Sequence, residues 1–87
     1  MDPQQQNTFK EKLDSQHSWP GPYTFKFIVP KGKEADVIQL FNSGQTQQKE
    51  SKNGNYISIT AKVNMKNSDE VMRIYLKAHT IEGIIAL

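Results

Sequence analysis

The stretch KNGNYISITAKVNM, residues 52–65, constrains the fold more than any other part of the chain. Asn53-Gly54 is a strong short hairpin signal, and strict alternation follows it. Ile57, Ile59, Ala61, Val63 and Met65 share one face of the implied strand; Tyr56, Ser58, Thr60, Lys62 and Asn64 share the other. An apolar face of this length needs a covering layer. The polar face is left for solvent or for a partner.

The segments around it supply the layers. Residues 1–7 are polar and Gln-rich, which predicts a disordered tail. Thr8 with Glu11 three residues on predicts a capping box opening a short helix, with Phe9 and Leu13 as its apolar stripe. SWPGPY then stops it, because two prolines around a glycine cannot continue a helix. YTFKFIV (23–29) alternates as a strand, with Tyr23, Phe25, Phe27 and Val29 on one face and Thr24, Lys26 and Ile28 on the other. KEADVIQLF (33–41) places Val37, Ile38 and Phe41 on one side of a helix of at most three turns, and Asn42-Ser43-Gly44 is its predicted stop. QTQQKES (45–51) is expected to pair with 56–65, with Thr46, Gln48 and Glu50 beside the apolar set; so polar a strand belongs at a sheet edge. Asn67 with Glu70 caps a second helix, whose stripe is Val71, Ile74, Tyr75 and Ala78. IEGIIAL (81–87) is predicted to be a short buried strand.

After the leading helix the order is strand, helix, strand, strand, helix, strand. That is the split βαβ order. The predicted class is α+β: a ferredoxin-like βαββαβ sandwich over residues 8–87, with a four-stranded antiparallel sheet, two helices on one face and a short N-terminal helix. At 87 residues the chain is one domain. It has no cysteine, so disulfides and thiolate metal sites are excluded. No apolar run approaches the roughly 20 residues of a membrane-spanning helix. The opening MDPQQQNTFK has neither the basic nor the apolar region of a secretory signal, so the cytoplasm is the expected compartment. A net charge of +2 does not announce a nucleic-acid or membrane partner.

Three stretches carry a resemblance: WPGPYTFKF (19–27), SKNGNYISITAKV (51–63) and the ending HTIEGIIAL. From about residue 17 onward the chain resembles the YbeD-like family of small uncharacterised bacterial proteins. Trp19, Pro20, Tyr23, Phe25 and Lys26 match the family's entry into the first strand, and Ser51, Gly54, Tyr56, Ser58 and Thr60 match its hairpin and third strand. The resemblance implies a ferredoxin-like fold similar to the ACT-type regulatory domains, which bind amino acids and control metabolic enzymes. It implies no catalytic residues. The stretch between first strand and hairpin is shorter here than in typical members, which trims the first helix.

Catalytic signals are weak. His17 and His79 stand alone, without a zinc-binding or nucleophile motif. Glu34 with Asp36, and Asp69 with Glu70, sit at helix starts, where complementing the helix dipole accounts for them. No enzyme activity, metal or cofactor is expected. Lys31, Gly32 and Lys33 before a helix form a candidate anion loop, though one glycine falls short of a phosphate-binding motif. The candidate interaction surface is the polar sheet face: Thr24, Lys26, Tyr56, Ser58, Thr60 and Lys62. RNA-recognition motifs use this face with stacked aromatics, but here Tyr56 is its single aromatic residue. The leading expectation is therefore a non-enzymatic regulatory or interaction module acting on itself, as a homodimer, or on a metabolic enzyme. Behind it stand a weak single-stranded nucleic-acid binder and a sensor of small anions or amino acids.

Overall fold

The computed structural model describes residues 2–41 and 45–87. Its elements run α1 (Pro3–Gln16), β1 (Gly21–Pro30), α2 (Glu34–Ile38), β2 (Gln45–Glu50), β3 (Tyr56–Met65), α3 (Ser68–Ala78) and β4 (Ile85–Ala86). The fold is α+β: four antiparallel strands in the order β2-β3-β1-β4, and three helices. No helix among the described residues is long and apolar enough to cross a membrane.

The two long central strands carry the core. Phe25, Phe27 and Val29 of β1 lie beside Ile57, Ile59, Ala61 and Val63 of β3, and all are buried. Val37 of α2, Val71, Tyr75 and Ala78 of α3 and Leu13 of α1 complete the same cluster. Removing each large side chain from water contributes about 2 kcal/mol, so the one-sided strands and the helix stripes stabilise each other. α3 follows its sequence signals closely. Asn67 is the N-cap, its side chain accepting a hydrogen bond from the Glu70 N–H at 2.9 Å, and Val71, Tyr75 and Ala78 are buried.

Elsewhere the structure departs from the predicted elements. α1 does not wait for Thr8. It starts at Pro3 with Asp2 as N-cap, Asp2 and Gln5 forming the capping box, so residues 3–7 are helix and not tail. Thr8 instead turns its hydroxyl back onto the Gln4 carbonyl at 3.0 Å. α2 is only five residues long, although Phe41 beyond it still packs against Phe25 with ring centroids 5.2 Å apart. The predicted stop at Asn42-Ser43-Gly44 lies outside the described residues. β4 is two residues long and exposed, not a buried strand. Ile81 and Ile84 pack against the core, and a turn through Gly83 at φ +79° leads the chain out to the sheet edge.

The hairpin keeps the register in which Asn53 and Gly54 are centred, but closes with a longer loop. Glu50 lies opposite Ile57, and the Ser51 N–H donates to the Tyr56 carbonyl at 2.9 Å. Residues 52–55 then form the loop. The Ser51 side chain ties it together, its hydroxyl donating to Asn53 and accepting from the Tyr56 N–H.

Candidate functional site

The strand pairing lays the open face of the sheet out in rows. Gln45, Lys62 and Thr24 form one; Gln47, Thr60 and Lys26 the next; Lys49, Ser58, Ile28 and Ile85 the third; Tyr56 and Pro30 the last. All six predicted surface residues therefore come together on the face turned away from the helices. Lys26, Thr24, Lys62 and Tyr56 are exposed, and Ser58 and Thr60 are half-buried.

Two further features of this face come from the outer strands, β4 and β2. β4 places Ile85 opposite Ile28, and the Leu87 N–H donates to the Lys26 carbonyl at 2.9 Å, continuing the same alternation. Among the described residues the exposed large apolar side chains are Tyr56, Ile85 and Leu87, at 45%, 52% and 69%. They fall on this one face. Together with half-buried Ile28 they form an apolar stripe from β4 across β1 to the start of β3. β2 adds Lys49 to Lys26 and Lys62, and the side chains of these rows include no carboxylate. The facing of QTQQKE follows the hairpin register expected from the sequence, with Thr46, Gln48 and Glu50 beside the apolar set, whereas the side that Ile85 and Leu87 face was not readable there. A shallow depression of about 240 Å³ sits at the hairpin end of the stripe, lined in part by Ile28, Lys49, Tyr56 and Ser58 and by the carboxylate-bearing Glu50.

The loop at Lys31, Gly32 and Lys33 is already engaged. Gly32 has φ +104°, which favours glycine, and its N–H donates to the Glu34 carboxylate at 2.8 Å. Hydrogen bonds from the Glu34 and Gly32 backbone N–H groups, with the nearby Lys31 charge, hold the Glu34 carboxyl below its usual range. Lys31 itself pairs with Glu50 at 3.1 Å across two exposed side chains. The donors that would cradle an external anion thus hold an internal one.

The histidines stand apart. His17 packs its ring against Trp19 and Tyr23, with centroids 5.4 and 5.1 Å away, and His79 is the exposed C-cap of α3. Trp19 donates its ring N–H to Asp14 at 2.8 Å and lies beside Tyr23 on the first strand. Asp69 is bound by Lys10 at 2.7 Å, which holds α1 to the start of α3 and keeps its carboxyl below the usual range. No group of three or more acidic or histidine side chains among the described residues is placed to hold a metal ion.

A family model described as protein of unknown function (DUF493) matches residues 14–87, in keeping with the YbeD-like resemblance of the same stretch. No curated protein and no solved structure matches the chain.

Proposed function

We infer that the chain, which belongs to the DUF493 family of proteins of unknown function, is a non-enzymatic regulatory or protein-interaction module that works through the open face of its sheet. The observation that carries this reading is the coincidence on one face of Tyr56, Ile85 and Leu87 with Lys26, Lys49 and Lys62. A solvated face gains nothing from a run of exposed apolar side chains. Contiguous patches of that kind mark sites of macromolecular contact, and an excess of lysines selects a partner surface of opposite charge. The strand order β2-β3-β1-β4, with helical connections from β1 to β2 and from β3 to β4, supports the ferredoxin-like, ACT-like class. A metabolic enzyme in the cytoplasm, or a second copy of the chain, is the partner this class suggests.

The same lysines and Tyr56 favour single-stranded nucleic acid as a second reading. It ranks lower because one aromatic ring gives one stacking platform, whereas sequence-tolerant binding needs several.

A pull-down against lysate of the source cell tests the proposal, using the wild type beside a folded Lys26→Glu/Ser58→Glu/Lys62→Glu variant and a Tyr56→Ala variant. The expected outcome is a defined protein retained by the wild type and lost by both variants. Retention by all three would leave the sheet face merely solvated and end this reading. Recovery of nucleic acid with a steep salt dependence would favour the second.

A further inference from the structure

Among the described residues, the helix side of the molecule carries a groove. α2 ends at Ile38 after five residues, and beyond it a groove of about 490 Å³ lies between the end of that segment, the second half of β3 and the outer side of α3. Its apolar lining is Leu40, Phe41, Val63, Met65 and Ile74. Its polar lining is dominated by cations: Lys66, Arg73 and Lys77 against one acid, Glu70, with Asn64 neutral. Arg73, Ile74 and Lys77 follow the three-and-four spacing that brings them to one strip of α3.

The cations of the groove form no ion pair among the described residues. Among the described residues, the lysines with ion pairs are Lys10 and Lys31, neither of them in the groove, while Lys66, Arg73 and Lys77 have no carboxylate within salt-bridge distance. Asp69, one helical turn from Arg73, feels the Arg73 charge, but its hydrogen-bond partner and stronger electrostatic partner is Lys10. An apolar floor with excess positive charge along its edge is complementary to one kind of small molecule. That molecule has an anionic head and an aliphatic body. The volume lies within the range of ordinary small-ligand sites, which are apolar clefts with a few placed polar groups.

We propose that this groove is a binding site for a small amphipathic anion, an aliphatic carboxylate whose chain lies on Leu40, Phe41 and Ile74 and whose head is held by Arg73 and Lys77. The site is on the opposite layer from the open sheet face and stands independently of the function proposed for that face. Arg73 and Lys77 are exposed, so both can be changed without disturbing the core. Dispersed apolar contact supplies attraction for the chain, and the paired cations supply selection for the head.

Amide NMR titration and thermal melting with decanoate, kept below its micelle concentration, test this. Decyltrimethylammonium serves as the same chain with the opposite charge, and acetate as the head without the chain. Saturable shifts of the Leu40, Phe41 and Arg73–Lys77 amides with decanoate are expected, with a raised melting temperature and no comparable response to the other two. Arg73→Gln/Lys77→Gln should weaken binding at least about tenfold, while its melting temperature without ligand stays near that of the wild type. Equal binding of decyltrimethylammonium would make the contact a chain effect only and overturn the proposal. So would decanoate shifts confined to Tyr56, Ile85 and Leu87, an unaltered affinity in the double variant, or no saturable shift. Concentration-dependent shifts of the groove amides without ligand would mean that a second copy of the chain occupies it, which also overturns the assignment.

Discussion

Tyr75 is where helix layer, sheet and leading helix meet. Its ring packs against Phe9 of α1 and Phe25 and Phe27 of β1, with centroids 5.3 to 5.7 Å apart, and its hydroxyl lies 3.0 Å from that of Tyr23. Burial first, and then the hydrogen bond with Tyr23, push its phenol well above the ordinary tyrosine range. The folded state therefore holds this proton more tightly than the unfolded chain does. The associated stability is complete below about pH 10, the value of an unperturbed phenol, and is lost as the pH rises beyond it. Tyr75→Phe removes the titrating group and the bond together. It should lower stability by about 1 kcal/mol at neutral pH and flatten the loss of stability above about pH 10. Urea denaturation of both proteins across that range checks this. Parallel curves would mean that Tyr75 does not govern the alkaline limb.

At the scale of elements, α1 deserves its place in the domain despite its composition. The family match begins at residue 14, so most of this helix precedes it. Yet Leu13 is 4% exposed within the common core, Phe9 packs on Tyr75, and Lys10 binds Asp69. Leu13→Ala should cost about 2–5 kcal/mol, the range for truncating a buried leucine, whereas Lys10→Ala, at an exposed pair, should cost well under about 1 kcal/mol. A melt of each variant decides whether α1 is part of the cooperative unit. A negligible effect of Leu13→Ala would leave it an appendage. The same helix shows where the sequence was legible and where not. Its stripe at Phe9 and Leu13 was readable, as was the Asn67 cap of α3, because periodicity and capping are local. Its start was missed although Asp2 and Gln5 form an equally local capping box, because composition alone makes a glutamine run look like a tail. β4 failed for the opposite reason. The apolar residues of 81–87 predicted burial, but only Ile81 and Ile84 pack against the core, while Ile85 and Leu87 turn to the open face. Six surface residues could thus be grouped from alternation in β1 and β3 alone. Lys49 followed from the hairpin register that put Thr46, Gln48 and Glu50 beside the apolar set, whereas Ile85 and Leu87 required the pairing of strands distant in sequence.

Across the whole molecule the unequal helix layer sets a gradient of stability. Cover from α2 and α3 falls on β1 and β3, whose inward side chains are buried from Phe25 to Val29 and from Ile57 to Met65. β2 receives none of it: all six of its residues are exposed, including Thr46, Gln48 and Glu50, which lie opposite Ala61, Ile59 and Ile57. Its attachment rests on backbone hydrogen bonds to β3, the Ser51 loop and the exposed Lys31–Glu50 pair, which is worth little in water. Strands held without apolar contacts open locally before the rest of a fold unfolds. Amide exchange should therefore show β2 exchanging at least about tenfold faster than the β1–β3 ladder, by an opening that leaves that ladder closed. Because Gln45, Gln47 and Lys49 share rows with Lys62, Thr60 and Ser58, a partner docked on the open face would span this weak junction. Its binding should slow β2 exchange more than exchange in β1, in proportion to the opening it suppresses. Exchange of β2 in step with β1, bound or free, would show that the sheet opens only as a whole and that the edge strand is held by contacts beyond those described.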